Sequence, residues 1–135
     1  MRKIQAILEE IDSFSPEGAG WAKLDNLINE LWETGHPEDG MKIMLKVLER
    51  FPDEDGDGVL WSIVHSLENL DNYERELLNS VYRQPSHLGI TMIHRIENVN
   101  QHELCGRNIK EIYQELLIHP KLTDITREDV IRLLS

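Results

Sequence analysis

The chain has 135 residues, and its 40% hydrophobic content excludes a disordered tail and is enough for one domain with a core. Twenty-five acidic against fourteen basic side chains give a formal net charge of −11, which argues against nucleic acid and anionic lipid as partners. The sequence contains no apolar run of about eighteen residues and no signal-peptide pattern, so we expect a soluble, cytoplasmic protein with no membrane contact.

Apolar residues recur at helical spacing along almost the whole chain. Ile4, Ile7, Leu8 and Ile11 form the first set, which places one apolar stripe on one face of a helix. The same spacing predicts seven further helices, around residues 24–31, 41–48, 60–67, 77–81, 92–96, 109–117 and 130–134. No alternating pattern indicates a strand. The sequence therefore predicts an all-α protein, a single domain over residues 1–135 with about eight short helices.

Helix-capping residues lie near the predicted boundaries. Ser15, followed by Pro16, resembles a helix start, and Pro37 predicts the start of the next helix. Asp71 and Thr126 each precede an acid by three residues, as the first residue of a capping box does.

A weak repeat relates two of the helices. Trp61, Val64 and Leu67 share their spacing with residues 90–96, at an offset of 29 residues. Helical hairpins that stack side by side produce such repeats in the HEAT and armadillo class. We therefore predict HEAT- or armadillo-like stacking of helical hairpins.

The acidic stretch 53–57 resembles the opening of a calcium loop. Its D-x-D-x-D-G pattern matches the first half of an EF-hand, but the twelfth position, which requires a bidentate Glu, is Val64. The helical pattern has also begun by Leu60, which leaves no room for a twelve-residue loop. We do not predict calcium binding.

The same stretch favours a positively charged protein partner. One or two acids ahead of a helix are explained by the positive N-terminal end of that helix. Asp53, Glu54, Asp55 and Asp57 are more than this effect requires, and they repel one another. A basic protein would neutralise them and would be attracted from a distance.

No pattern indicates an enzyme. The chain lacks the phosphate-binding, dinucleotide-binding and nucleophile-elbow motifs. Cys105, the only cysteine, is expected to be a half-buried residue beside a helix. His65 and Glu68, like His94 and Glu97, have the spacing of metal sites in helical bundles, but the further carboxylates of such sites are not evident. We predict no catalytic residue, cofactor or metal, and a carboxylate-based metalloenzyme is the most distant alternative.

Four side chains beyond the acidic stretch have the character of interface anchors. Tyr, Trp and Arg are enriched at the centres of protein interfaces. Trp61 lies one position off the apolar stripe of its helix, so it fits either the core or an interface. The other three are His65, Tyr73 and Arg83.

Residues 55–99 resemble the small helical immunity proteins of bacterial polymorphic-toxin and contact-dependent growth inhibition systems. The resemblance rests on an acidic-glycine opening, a W-S-x-x-H-x-L-E helix, a Tyr-Glu pair, an S-V-x-R-x-P-S segment and an M-I-x-R-I helix. It implies a cytoplasmic protein that binds the C-terminal toxin domain delivered by a neighbouring cell and covers its active site. Such toxins are frequently basic nucleases. The matching positions are Asp55, Asp57, Trp61, His65, Glu68, Arg83, Ser86 and Arg95.

The leading hypothesis is therefore an immunity protein that neutralises a cognate basic toxin domain by occlusion, without chemistry of its own. The alternative is a helical-repeat adaptor that binds another endogenous protein. The residues predicted to contact the partner are Asp53, Glu54, Asp55, Asp57, Trp61, His65, Glu68, Tyr73 and Arg83.

Overall fold

The helical periodicity of the sequence is realised in the structure, a computed structural model that describes residues 2–18 and 20–135. Over these residues the chain forms eight α-helices and one short 3₁₀ helix, Pro37–Gly40. The α-helices are α1 Ile4–Asp12, α2 Ala22–Glu33, α3 Met41–Arg50, α4 Leu60–Glu68, α5 Glu74–Arg83, α6 His87–Glu97, α7 Ile109–Leu116 and α8 Asp124–Leu134. The predicted all-α class is confirmed, and a single domain fits it. The HEAT- or armadillo-like stacking stays a prediction.

The helices are short. The longest in the described part of the chain, α2, has twelve residues, and none has the length and apolar character needed to cross a membrane.

The chain divides into two compact units. Unit 1 comprises the residues up to Val47 together with Asp55–Tyr73, so it holds α1, α2, the 3₁₀ helix, most of α3, and α4. In this unit α1 and α4 both pack against α2. Its core is formed by apolar side chains that the helical spacing places on the inner faces, including Ile7, Ile11, Leu24, Leu31, Met44, Leu60, Ile63 and Leu67.

Unit 2 comprises Leu48–Glu54 and Glu74–Ser135, with α5 to α8. Here α6 packs against α5 and α8, and α7 packs against α8. The hydroxyl of Ser86 caps α6 by accepting a hydrogen bond from the backbone N–H of Gly89 at 3.0 Å. The core side chains of this unit include Leu77, Val81, Ile93, Ile112, Tyr113 and Val130.

Three of the predicted helix starts are wrong. Asp71 does not cap α5, because that helix begins only at Glu74, three residues later. Ser15 does not begin a helix, because Gly18 and Gly20 adopt positive φ angles in the following segment and α2 begins only at Ala22. Thr126 is not the cap of α8. Thr123 takes that role, accepting a hydrogen bond from the backbone N–H of Thr126, which is itself buried in the first turn.

Unit 2 also contains a small β-hairpin that the sequence did not predict. Strand β1 (Glu103–Leu104) pairs antiparallel with β2 (Arg107–Asn108). The two turn residues, Cys105 and Gly106, have φ angles of +52° and +78°, as a tight two-residue hairpin turn requires. Two-residue strands are too short to show alternation, and Cys105 lies half-buried in this turn rather than beside a helix.

Candidate functional site

The acidic loop Asp55–Gly58 of unit 1 is a tight turn. The side chain of Asp55 accepts a hydrogen bond from the backbone N–H of Asp57 at 3.1 Å. The carbonyl of Asp55 accepts two more, from the N–H groups of Gly58 and Leu60 at 3.1 and 3.0 Å. Gly56, Asp57 and Gly58 all adopt positive φ angles, which explains the two glycines. The D-G-D-G sequence therefore encodes a turn that leads directly into α4.

This turn is fixed in place by an aromatic side chain. A Cβ atom on Gly56 would lie only 2.7 Å from Cε3 of Trp21, so the backbone of the buried Gly56 lies directly against the indole ring. The ring of Trp21 in turn packs against Phe14, with 5.6 Å between centroids. The acidic loop is consequently anchored to the hydrophobic core, although its two carboxylates are exposed.

Asp55 and Asp57 are both exposed, and no ion pair joins either of them to a Lys, Arg or His among the described residues. Unit 1 as a whole has thirteen acidic and five basic side chains, a formal charge of −8. Unit 2 has twelve and nine, a formal charge of −3. Most of the negative charge of the chain therefore belongs to unit 1.

Two predicted anchors on α4 contact each other. The rings of Trp61 and His65 lie 6.0 Å apart between centroids, one helical turn from each other. Trp61 is half-buried and His65 is exposed, so Trp61 lies at the edge of the core. The pair therefore fits a contact surface in which the half-buried Trp61 supports the exposed ring of His65.

A groove runs between α2 and α4 beside His65. It has a volume of about 580 Å³. Trp32 of α2 forms one wall, and its indole N–H donates a hydrogen bond of 2.9 Å to the hydroxyl of Ser66 on α4. The residues that line this groove are Ile28, Asn29, Trp32, Ser62, His65, Ser66 and Asn69.

A second groove, of about 570 Å³, is also lined by Trp32. It shares Trp32 and Asn69 with the first groove, so the two grooves meet at these residues. The residues that line it are Trp32, Gly35, Pro37, Glu38, Asn69, Leu70 and Asp71. We refer to the residues of these two grooves together as the Trp32 surface.

The Trp32 surface combines an exposed aromatic ring with negative charge. Trp32 retains 38% of its surface exposed. Glu38 and Asp71 are exposed at the second groove, and no Lys or Arg occurs among the residues that line either groove. Trp32 was not among the residues predicted from the sequence, although it carries the same signal as Trp61: it lies one position beyond the apolar stripe of its helix.

Asp53 and Glu54, the first two acids of the predicted site, belong to unit 2. Asp53 accepts hydrogen bonds from the hydroxyls of Thr123 and Thr126, at the N-terminal end of α8, where a carboxylate is favourable. Glu54 is exposed. Asp53 thus has a structural role within its unit, and contact of either acid with a partner stays a prediction.

Arg83 is also engaged within unit 2. Its guanidinium forms two hydrogen bonds to the carboxylate of Glu49, at 3.0 and 2.9 Å, and Ser80 donates a third to the same carboxylate. The hydrogen bonds to Glu49 raise the pKa of Arg83, although burial opposes this. The remaining predicted residues, Glu68 and Tyr73, are half-buried in unit 1.

The described residues include no group of three or more His, Cys, Asp or Glu side chains arranged to hold a metal ion. His94 lies 3.5 Å from Glu97, so that predicted pair does form. Glu97, however, is also contacted by Lys110 and by the hydroxyl of Tyr113. The pair is therefore part of a hydrogen-bonded cluster on the outside of unit 2.

Comparison of the chain with protein-family models, with curated proteins and with solved structures found no match in any of the three. The resemblance of residues 55–99 to immunity proteins therefore stays a prediction, and the function is argued from the charge and geometry of the surface.

Proposed function

We propose that the chain is an immunity-type binding protein that neutralises a basic toxin domain by covering its active site. The observation that carries the proposal is the distribution of charge. Unit 1 has a formal charge of −8, and its exposed Asp55 and Asp57 are held on a fixed loop without an ion pair to any described residue.

The mechanism requires only binding. A toxin that acts on nucleic acid keeps Lys and Arg side chains in its active site to hold phosphates. Carboxylates bind the same cations through short charge-assisted hydrogen bonds. The negative field of unit 1 speeds the encounter with such a surface. Trp32, an exposed aromatic side chain of the same unit, provides the apolar contact that a tight interface needs.

Co-expression tests the proposal. The chain is produced together with the protein encoded immediately upstream of it, and growth and co-purification are measured. We expect the upstream protein to be basic and toxic alone, to form a stoichiometric complex with the chain, and to lose its toxicity in that complex. An upstream product that is harmless or does not bind contradicts the proposal and favours the helical adaptor.

A further inference from the structure

We infer that the Trp32 surface receives an arginine side chain of the basic partner, with its guanidinium stacked on the Trp32 indole and paired with Glu38 and Asp71. The inference rests on the function proposed above, because it names the part of the chain that the partner contacts. It assigns the centre of the interface to residues that are distinct from the acidic loop Asp55–Gly58.

The indole of Trp32 is exposed but held in a fixed position. Trp32 is 38% exposed, yet its N–H is fixed by the 2.9 Å hydrogen bond to the hydroxyl of Ser66, a buried residue. Such an exposed ring has little freedom left to lose when a ligand stacks on it. Trp32 lines two grooves, and each is large enough for a long side chain.

The charge of the second groove is complementary to a cation. Glu38 and Asp71 line the same groove as the ring, and no lining residue is Lys or Arg. Among the described residues, the side chain paired with Glu38 is that of His36, whose Nδ1 lies 3.3 Å from the carboxylate. The groove therefore presents an aromatic face and two carboxylates to one cation.

The Trp32 surface favours arginine over lysine. A guanidinium is planar, stacks on an aromatic face and forms bidentate hydrogen bonds to carboxylates, whereas an ammonium is a strongly hydrated point charge. The groove offers both an aromatic ring, that of Trp32, and the carboxylates of Glu38 and Asp71. A guanidinium can therefore use both, and it fits this groove better than an ammonium does.

Nuclear magnetic resonance of the isolated chain at pH 7.5 tests the inference with a defined probe. The indole N–H signals of the three tryptophans are assigned with Trp→Phe variants. A capped Gly-Arg-Arg-Gly peptide is then titrated against its citrulline counterpart, which has nearly the same shape without the charge. We expect the arginine peptide to shift the Trp32 signal and to bind on the order of tenfold more tightly than the citrulline peptide.

A charge-matched pair of variants makes the test specific. Glu38→Gln/Asp71→Asn removes both carboxylates of the groove, and Glu33→Gln/Asp39→Asn removes two exposed acids that line neither groove. All four positions are exposed, so both variants are expected to fold. The Trp32 shift should disappear in the first variant and persist in the second. No Trp32 shift, an equal effect of citrulline, or equal loss in both variants overturns the inference.

The two proposals fail separately. If the toxin is captured and Glu38→Gln/Asp71→Asn binds it as tightly as the unaltered chain, the inference is wrong and the immunity function stands. If no basic partner is captured, the proposed function is wrong, whatever the peptide titration gives.

Discussion

The indole N–H of Trp32 on α2 donates a 2.9 Å hydrogen bond to the hydroxyl of Ser66 on α4, and this bond fixes an exposed aromatic ring that lines two grooves. The bond joins two helices through residues that lie 34 positions apart in the sequence. It turns Trp32 from a side chain at the edge of the core into a fixed part of the surface.

A double-mutant cycle tests this relationship. Trp32→Phe removes the donor and Ser66→Ala the acceptor, and urea unfolding is measured for both single variants and the double variant. We expect a coupling energy of about 0.5–1.5 kcal/mol, the net value of one hydrogen bond. Additive effects of the two substitutions would show that the bond does not form in solution.

The contact between Gly56 and Trp21 makes a second prediction. Gly56→Ala combines a positive φ of +61° with a Cβ placed 2.7 Å from the indole, so we expect it to lower the free energy of unfolding by roughly 2–4 kcal/mol. Gly58→Ala is the control, because its φ is +89° but no atom lies within 4 Å of the added Cβ. We expect it to cost only about 1 kcal/mol. Equal losses in urea unfolding would contradict the packing argument.

The hydrogen bonds of Asp53 predict that Asp53 contributes more to stability than the adjacent Glu54. Asp53→Ala leaves the hydroxyls of Thr123 and Thr126 without this acceptor, and we expect a loss of about 1–2 kcal/mol in urea unfolding. Glu54→Ala should stay within about 0.5 kcal/mol of the unaltered chain. If both variants are equally stable, Asp53 has no structural role, and any weakening of partner binding by Asp53→Ala is then a contact effect.

Tyr113 makes stability depend on alkaline pH. Its side chain is fully buried, and burial, followed by the charge of Glu97 and its hydrogen bond, raises the pKa of Tyr113. In the unfolded chain the phenol loses its proton near the ordinary pKa of about 10, whereas in the folded chain it keeps it. The contribution of Tyr113 to the free energy of unfolding is therefore fully present below pH 10 and is lost as the pH rises above that value.

The measurement compares the unaltered chain with Tyr113→Phe in urea unfolding at pH 8, 10 and 11. The other two tyrosines are common to both proteins. We expect the unaltered chain to lose stability more steeply above pH 10, by up to about 1.4 kcal/mol per pH unit. Parallel pH profiles would mean that Tyr113 titrates normally in the fold.

The acidic loop predicts how the partner is captured. Asp55→Asn/Asp57→Asn should lower the association rate with the basic partner and flatten its dependence on salt, because rim charges act mainly on the rate of encounter. Glu103→Gln/Glu128→Gln changes the net charge equally at exposed positions of unit 2. Surface plasmon resonance at several salt concentrations measures both variants. Indistinguishable association rates would remove the loop from the interface.

Several features of this protein follow from local sequence alone. The periodic apolar residues predicted all eight α-helices, because a stripe at helical spacing has only one way to be buried. The cap at Ser86 was equally local, since the serine needs only the backbone N–H of Gly89, three residues on.

The start of α8 depends on the tertiary structure, because the sequence offers two possible capping residues. Both Thr123 and Thr126 stand three residues ahead of a polar residue. The start of α8 at Asp124 places Thr126 and Asp129 inward, where Asp53 accepts a hydrogen bond from Thr126 and His87 Nδ1 lies 2.6 Å from Asp129. These partners are distant in sequence, so a pattern of neighbouring residues could not predict their effect on the start of α8.

The sequence by itself determined the helical class, the number of helices and the excess of negative charge, because each depends on composition or on residues a few positions apart. Only the tertiary structure decided which acids are already engaged and which are exposed. It alone distinguished Asp53, which is hydrogen-bonded to Thr123, from the exposed Asp55 and Asp57 two and four residues away. It also brought the indole of Trp32 into hydrogen-bonding distance of Ser66. The physical reason is that a hydrogen bond or a packed ring depends on distance in space, which the linear spacing of residues does not fix.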